Sequence, residues 1–316
     1  MSARIVALSG GVGGAKLASG LASVLEDDEL AVIANTGDDF DHLGLQICPD
    51  IDTLMYTLAG RNNPETGWGR RDETWSFMHT LKELKPDSWF SLGDHDLAVH
   101  VWRTWQLNQG RTLSQVTGEL ARAMKVATAV IPMSDDPVRT TLDTNEGVLE
   151  FQDYFVRQKC QPTVQEISFT GADQATPAPA FASLLTDNSV DAFVVCPSNP
   201  YLSVNPILSL PGVSEALRRH SAPVIVVSPI VGGNSLKGPT AKIMGEMNIP
   251  CDLDAIADHY GNLADILVID STDAEQQEKI ATNGIEVAVA NIVMGDETDR
   301  RTLAEFVLGL VESAAV

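Results

Sequence analysis

A glycine-rich segment near the N-terminus carries the strongest chemical signal in the sequence. It reads Ser-Gly-Gly-Val-Gly-Gly-Ala-Lys from Ser9 and lies between a predicted strand and a predicted helix. Glycines let the backbone approach a ligand closely, and a helix N-terminus offers N–H groups to an anion. We therefore predict that this turn binds phosphate or pyrophosphate, through the following residues: Gly10, Gly11, Gly13, Gly14 and Lys16.

The glycine turn does not match either of the common nucleotide-binding patterns. It is not a clean G-x-G-x-x-G sequence, because Lys16 fills the third glycine position, and its spacing is not that of a P-loop. A tight connection between strand and helix, without a ligand, is the alternative interpretation.

Four aspartates follow the second predicted strand, in Asn-Thr-Gly-Asp-Asp from Asn35 and Pro-Asp-Ile-Asp-Thr from Pro49. One acidic residue at such a distance from a glycine turn could bind a ribose, as in NAD enzymes, and a carboxylate that opens a helix could cap it. Four carboxylates beside bound phosphate would repel one another unless a divalent cation joined them. We predict Mg²⁺ as the cofactor, with four candidate ligands: Asp38, Asp39, Asp50 and Asp52.

Other polar clusters carry a weaker signal. Ser-Leu-Gly-Asp-His-Asp from Ser91 and Met-Ser-Asp-Asp-Pro from Met133 fit helix caps or turns, and His95 and His100 fit packed histidines beside tryptophans. The loops 197–200 and 228–233 follow predicted strands, where hydroxyls and amides could contact a base or a ribose. Ordinary connections between strands and helices are the alternative for both loops.

The hydrophobic pattern predicts how these residues are positioned. Apolar runs at residues 5–8 and 30–34 flank a helical pattern, which is typical of a βαβ unit in a parallel sheet. Further strands are predicted at 164–169, 192–196, 224–228, 266–270 and 286–290, with a last helix from Thr302. We predict an α/β fold, with a doubly wound, Rossmann-like and mostly parallel sheet that holds the turn and the aspartates at its carboxyl edge.

The stretch between the two halves of this pattern is mostly helical. Residues 51–125 contain all the tryptophans and read as a helical insertion over the carboxyl edge of the sheet, within a single α/β domain, 1–316. Thr112 with Gln115 predicts a capping box in this stretch. A strand at 127–132 and a β-hairpin at 138–151 follow.

Composition narrows the choice of partners. The 316 residues include 43 Asp and Glu against 21 Lys and Arg, a formal net charge of −22. Nucleic acid and anionic membrane both attract basic surfaces, so we predict neither as a partner. The four cysteines form no C-x-x-C pair, which indicates reduced thiols and no zinc site. We find no signal-like segment and no apolar run long enough to span a membrane, and we expect a cytoplasmic protein.

Taken together, the motifs resemble the 2-phospho-L-lactate transferase family of coenzyme F-420 biosynthesis. The match includes the segments quoted above and also Trp-Gly-Arg-Arg-Asp-Glu-Thr-Trp from Trp68, Leu-Gly-Asp-His-Asp-Leu-Ala from Leu92 and Pro-Ser-Asn-Pro from Pro197. These motifs run in family order from residue 5 to about residue 245, so the resemblance covers nearly the whole chain.

The resemblance implies a transfer reaction. The family moves a phospho-acid from a guanosine diphosphate adduct to the terminal ribityl hydroxyl of the deazaflavin Fo and releases GMP. By resemblance, Asp38 and Asp52 are the catalytic residues that bind metal or acceptor hydroxyl, with Asp39 and Asp50 in support. Substrate binding beyond the glycine turn is expected at these residues: Asn35, Thr36, Thr53, Ser91, Asp94, Ser198, Asn199, Ser228 and Gly232. A homodimer is expected from the family.

The transferred acid and the kind of function stay open at this level. Archaeal relatives tend to carry a basic residue where Ser91 stands, and the bacterial branch includes members with an enolpyruvyl donor. A nucleotide-sugar-binding regulator is the alternative that needs no catalysis. An NAD-dependent oxidoreductase is the other alternative, and Lys16 in place of the third glycine speaks against it.

Overall fold

The computed structural model of the chain describes residues 4–236, 238–281 and 284–314. Its strands are, in chain order, β1 (Ile5–Ser9), β2 (Leu30–Ala34), β3 (Phe40–His42), β4 (Leu45–Ile47), β5 (Ala129–Pro132), β6 (Arg139–Thr144), β7 (Gly147–Glu150), β8 (Val164–Thr170), β9 (Ala192–Val195), β10 (Val224–Val227), β11 (Ile230–Val231), β12 (Asn234–Ser235), β13 (Ile266–Asp270) and β14 (Glu286–Ala290).

The α-helices over the same residues are α1 (Gly11–Ala22), α2 (Pro49–Leu58), α3 (Ser76–Leu84), α4 (Asp94–Asn108), α5 (Leu113–Met124), α6 (Pro179–Leu184), α7 (Asn205–Leu208), α8 (Val213–Arg219), α9 (Thr240–Glu246), α10 (Leu253–Tyr260), α11 (Gln277–Ala281) and α12 (Glu297–Ala314). Short π-helical turns at Asp153–Arg157 and Pro200–Val204, and 3-10 turns at Gly261–Leu263 and Ser271–Gln276, complete them.

Seven parallel strands form the central sheet, in the order β14-β13-β10-β9-β1-β2-β5. β1 lies between β2 and β9, with Ile5 opposite Leu30 on one side and Ala192 on the other. The strand order therefore reverses at β1 and β9, which is where open α/β sheets form their binding crevice. The predicted Rossmann-like α/β fold is confirmed.

The strands of this sheet are continuous apolar runs because helices cover both faces. On one face, α1, α2, α5 and α12 pack against the sheet through residues such as Leu17, Leu54, Leu120 and Leu303. On the other face, α6, α7, α8 and α10 do the same. Each layer removes apolar area from water at roughly 25 cal/mol per Å², which is the main term that holds the sheet between them.

Two elements differ from what the sequence indicated, one in its pairing and one in its start. The strand predicted at 164–169 is present as β8, but it lies outside the parallel sheet, because it pairs antiparallel with β6 in a small sheet of order β7-β6-β8. The last helix begins at Glu297 rather than at Thr302. Asp296 Oδ1 accepts from the Asp299 N–H, and Asp299 Oδ2 accepts from the Asp296 N–H, so the two residues cap the helix at this earlier turn.

The stretch predicted as a helical insertion contains α2, α3, α4 and α5 and follows the hairpin of β3 and β4. α2 packs on α1 and α5 packs on β5, so both belong to the layer over the sheet. α3 and the hairpin share a separate apolar cluster that includes Phe40, Ile47, Met78 and Leu92. The capping box of Thr112 and Gln115 is confirmed, and the division into one domain with an insertion stays a prediction.

Over the described residues, we find no helix with both the length and the apolar character that crossing a membrane requires.

Two helix glycines provide a matched test of this packing. A Cβ at Gly20 in α1 would overlap the carbonyl oxygen of Arg300 in α12, whereas a Cβ at Gly118 in α5 would meet nothing within 4 Å. We expect Gly20→Ala to lower the free energy of unfolding by about 1–3 kcal/mol through overpacking. Gly118→Ala should raise it by about 0.5–1 kcal/mol through helix propensity. Urea denaturation measures both, and a stabilised Gly20→Ala variant would contradict the contact between α1 and α12.

Candidate active site

Asn35 is the centre of a polar network at the carboxyl ends of β1 and β2. Its Nδ2 donates to Asp38 Oδ1 and to Asp50 Oδ2, each at 3.0 Å, and its Oδ1 accepts from the Gly37 backbone N–H at 2.8 Å. Asp50 Oδ1 in turn accepts from the Gly11 backbone N–H at 2.7 Å. The network brings together the glycine turn and two of the predicted metal ligands, which are far apart in sequence.

The protein's own atoms explain most of the glycines in the turn. A Cβ at Gly10 would lie 2.6 Å from Asp50 Oδ2, and one at Gly13 would overlap the carbonyl oxygen of Pro197. A Cβ at Gly14 would overlap the hydroxyl groups of Ser9 and Ser198. Ser198 is buried here and its Oγ accepts from the Gly10 N–H at 3.1 Å. These glycines are required by the packing of α1 and its N-terminal turn against α2 and against the loop after β9.

Gly11 differs from the other glycines of the turn. Its φ of +64° lies in the left-handed region, and a Cβ there would meet nothing within 4 Å. A residue that combines left-handed backbone with open space around it leaves room for a ligand at the start of α1.

Burial raises the pKa of three aspartates in this network. Burial and then the charges of Asp50 and Asp39 hold the pKa of Asp38 well above its usual range, against the opposing effect of Arg139. Burial raises the pKa of Asp39 to about 7, and it raises the pKa of Asp50 to about 6 despite hydrogen bonds from Asn35 and Gly11. The site therefore holds more negative charge than its neighbours neutralise, so it favours a proton or a cation.

Asp52 lies on the other side of α2 from this network and has a cation of its own. Arg103 Nη1 donates to Asp52 Oδ2 at 3.0 Å, and Arg103 Nη2 pairs closely with Asp52 Oδ1. The Arg103 side chain is completely buried. Both oxygens of Asp52 are thus engaged by one guanidinium, an arrangement that repels a metal ion. The metal role of Asp52 stays a prediction, and its contacts do not favour it.

The ion pair continues into α4. His100 Nδ1 lies 3.2 Å from Arg103 Nη1, His100 Nε2 lies 3.3 Å from Asp96 Oδ2, and the Tyr56 hydroxyl donates to Asp96 Oδ1 at 2.5 Å. Asp52, Asp96 and His100 are close enough to hold a metal ion. Arg103, however, occupies Asp52 and His100, so a structural network is the better interpretation.

Two motifs of the helical stretch cap each other's helices. Asp94, the first residue of α4, accepts from the backbone N–H groups of Ser76 and Phe77 at the start of α3, both at 3.0 Å. Glu73, just before α3, accepts from the N–H groups of His95 and Asp96 at 2.8 Å. The assignment of Asp94 to substrate binding stays a prediction. Its carboxylate already accepts hydrogen bonds from the start of α3.

The remaining predicted residues separate into two groups. The first group lies close to the glycine turn and the aspartates. Thr36 and Thr53 are buried beside the aspartates in sequence, and Lys16 on α1 donates to the Met294 carbonyl at 2.5 Å. The others lie in local turns: Asn199 caps the π-helical turn 200–204, Ser228 bonds to Ile230, and Gly232 donates to Asp273. Ser91 is exposed in the loop before α4. The structure does not join this second group to the Asn35 network.

A cleft opens onto the aspartates from the side of β6 and β7. Asp38 and Asp39 line it together with Arg139, Phe151 and Gln152. Arg139 is the cation whose charge opposes the raised pKa of Asp38 and Asp39. Arg139 was not predicted as a site residue, because no spacing pattern in the sequence marks it.

Arg103 was the main residue that the sequence analysis missed. Asp96, His100 and Arg103 recur at helical spacing, so they share one face of α4, and three polar residues on a buried face are a signal. That signal could have indicated a buried network, but not that Asp52, 51 positions away, completes it.

Comparison with known proteins identifies the family of the chain. Residues 5–307 match the sequence profile of a family described as 2-phospho-L-lactate transferase CofD. A phosphoenolpyruvate transferase of Streptomyces griseus is 38% identical over 315 residues, which is 98% of this chain and 98% of that protein. A 2-phospho-L-lactate transferase of Methanococcoides burtonii is 37% identical over 292 residues, 92% of this chain and 94% of that protein.

Among solved structures, a Bacillus halodurans protein of the UPF0052 family superposes with a TM-score of 0.64, over 97% of this chain and 99% of that one. The sequences are 17% identical, so this likeness shows the fold alone. The family profile and the two transferases cover nearly the whole chain. The chain therefore belongs to the 2-phospho-L-lactate transferase CofD family, a family of transferases.

Proposed function

We propose that the chain transfers a phospho-acid from a guanosine diphosphate adduct to the terminal hydroxyl of the deazaflavin Fo, releasing GMP and forming the precursor of coenzyme F-420. The observation that carries this proposal is the buried cluster of Asp38, Asp39 and Asp50 beside the glycine turn, in a chain of a transferase family. A transferase family gives no support to an NAD-dependent oxidoreductase.

The aspartate cluster fits Mg²⁺. Its three carboxylates are buried with raised pKa values. Asp39 Oδ1 and Thr36 Oγ1 are buried without a hydrogen-bond partner among the described residues. Mg²⁺ prefers a few carboxylates together with substrate phosphates. We assign the ion to Asp38, Asp39 and Asp50, and when bound it would offset the charge of the donor phosphates.

Asp52 has a different task in this proposal. Since Arg103 holds both of its oxygens, Asp52 is a positioning residue that fixes the first turn of α2, and so the place of Asp50 two residues earlier. Fixed positions matter here because phosphoryl transfer depends mostly on alignment and charge neutralisation.

The acceptor approaches the aspartates through the cleft of Arg139 and Phe151. In this arrangement Phe151 offers an aromatic surface to the flat deazaflavin, and the acceptor hydroxyl reaches the carboxylates of Asp38 and Asp39. A cytoplasmic location and a homodimer stay predictions.

A direct assay tests the proposed reaction. We expect protein, Mg²⁺, Fo and a guanosine-linked phospho-acid to give GMP and a deazaflavin of higher mass, detected by mass spectrometry. The identities of 38% and 37% to the two kinds of relative are too close to choose between donors, so lactate and enolpyruvate adducts are compared. Reactions without Fo, or with EDTA, are the controls. A folded protein that binds the guanosine nucleotide but releases no GMP from either donor would indicate a regulator.

Asp38→Asn and Asp52→Asn should separate the two roles of the aspartates. Both variants should lose transfer by about 100-fold or more, because each disturbs the site that holds the donor phosphates. Only Asp52→Asn should also lower the free energy of unfolding, by about 3–5 kcal/mol, since it leaves the buried Arg103 without its counter-charge. Asp38→Asn removes a carboxylate that burial disfavours and should be at least as stable as the parent in EDTA. Urea denaturation in EDTA decides this, and equal losses in both variants would contradict the assignment.

The stabilisation by Mg²⁺ should grow with pH. The folded protein keeps the protons of Asp39 and Asp50 up to pH values near 7 and 6, whereas the unfolded chain releases them near the ordinary value of 3.8. The metal-free protein therefore loses stability as the pH rises from about 4 to about 7. Protons compete with the metal over the same range, so Mg²⁺ should raise the melting temperature more at about pH 8 than at about pH 5.

Asp27→Asn is a matched control for that measurement, because Asp27 is exposed. It should behave as the parent protein, while Asp50→Asn should lose the response to Mg²⁺. A response that is equal at both pH values in the parent would contradict metal binding by these carboxylates.

A further inference from the structure

A second cleft lies at the first turns of α1, on the face away from Ser198. Val12 and Lys16, four residues apart on α1, form one wall, and Gly67 packs over Val12. Thr57 at the end of α2 and Arg300 near the start of α12 complete the walls, with Asn62, Pro64 and Gly295 between them. The side chains of the cleft thus come from segments spread over most of the chain, which the fold brings to one point.

The lining of this cleft is positively charged in a strongly negative protein. The chain has a formal net charge of −22, yet the cleft is lined by Lys16, Arg300 and the donor groups of Thr57 and Asn62, and by no carboxylate. Three acidic residues directly follow or precede lining residues in the sequence. Asp296 and Asp299 bond to backbone N–H groups at the start of α12, and Glu65 is exposed. Lys16 also donates to the Met294 carbonyl. A lining of two cations and neutral donor groups favours an anion.

Arg300 adds a group that lacks a partner. Its Nε is buried, and the described residues offer it no hydrogen-bond acceptor. A buried guanidinium N–H without an acceptor is costly, and a guanidinium that turned towards a ligand oxygen in the cleft would relieve that cost. The cleft has a volume of about 60 Å³, room for roughly four water-sized groups. That space suits a single phosphate group, so a base and a ribose would have to lie outside it.

The cleft and the aspartate cluster reach the start of α1 from two sides. Asp50 accepts from the N–H of Gly11, while the next residue, Val12, lines the cleft. A diphosphate that lies across Gly11 and Val12 would therefore place one phosphate beside the aspartates and the other in the cleft.

We propose that this cleft is a phosphate site, formed by Lys16 and Arg300, that holds the phosphate of the departing GMP. This assignment rests on the function proposed above. The acceptor oxygen bonds to the phosphorus that carries the acid, and the bond from this phosphorus to the bridging oxygen breaks. The bridging oxygen leaves on GMP with the electron pair, and the hydroxyl proton is released to the solvent. Lys16 and Arg300 face the oxygens on which this negative charge develops.

Two neighbouring arginines provide the test. Arg300→Gln removes a guanidinium from the cleft, whereas Arg301→Gln removes the same charge from the exposed arginine that pairs with Glu305 on α12. Titration calorimetry of the full chain measures affinity for GMP and for inorganic pyrophosphate at constant ionic strength. We expect Arg300→Gln to weaken both by about tenfold, while Arg301→Gln stays within about twofold of the parent. Arg300→Lys should recover part of the loss, and melting temperatures report folding.

The outcomes distinguish this site from the proposed function. Equal affinities in the two glutamine variants, with transfer intact, would overturn the cleft and leave the transferase proposal standing. Loss of pyrophosphate binding in Arg300→Gln alone, in a protein that does not bind GMP, would support a phosphate site and overturn the guanosine donor. Weaker binding of both GMP and pyrophosphate in Arg300→Gln, but not in Arg301→Gln, supports both the phosphate site and the guanosine donor.

Discussion

Burying carboxylates at the carboxyl edge of the sheet is the constraint on which this structure depends. Asp38, Asp39, Asp50 and Asp52 are each at most 7% exposed. An isolated buried carboxylate is expensive, so each must receive hydrogen bonds, a counter-charge or a proton. Asp52 receives a guanidinium. The other three receive hydrogen bonds from an amide and from backbone N–H groups, together with the charge of the more distant Arg139. Their raised pKa values indicate that these contacts offset only part of the cost of burial. A cation therefore fits beside Asp38, Asp39 and Asp50, and not beside Asp52.

The glycine turn has a second explanation beside ligand binding. Gly10, Gly13 and Gly14 are required because Asp50, Pro197 and Ser198 come too close for a side chain. These contacts join α1 to α2 and to the loop after β9, at the point where the strand order reverses. Among the four glycines of this turn, only Gly11 combines a left-handed backbone with open space. A glycine pattern alone therefore does not separate the residues that approach a ligand from those that approach the protein.

The sequence predicted the sheet well, because buried parallel strands are short, continuous apolar runs with few other interpretations. It predicted β8 as a strand but did not indicate that this strand lies outside the parallel sheet. Val164–Thr170 alternates polar and apolar residues, which is typical of a strand with one exposed face, and the surrounding alternation of strands and helices concealed that difference. Pairing partners depend on contacts far along the chain, which no local pattern contains.

The same limit applies to the site. The glycines and aspartates could be found, because they are clustered in sequence and lie at strand ends. The division of the aspartates into a cluster around Asn35 and a pair with Arg103 could not, since Arg103 is 51 positions from Asp52. The acidic motifs of the helical stretch were also ambiguous. Glu73 and Asp94 each cap the other's helix, through hydrogen bonds that join residues 22 and 17 positions apart in sequence. In the sequence, a carboxylate before a helix looks the same whether it caps a helix or binds a ligand.

The pair of Asp52 and Arg103 also has a mechanical consequence. It fastens α4 to the first turn of α2, and the same turn carries Asp50, which holds the N–H of Gly11. Moving α4 outward would drag a guanidinium and a carboxylate through an apolar layer, so α4 and the sheet should melt as one cooperative unit. A tilt of α4 would therefore displace the first turn of α2 and, through the hydrogen bond from Gly11 to Asp50, the start of α1.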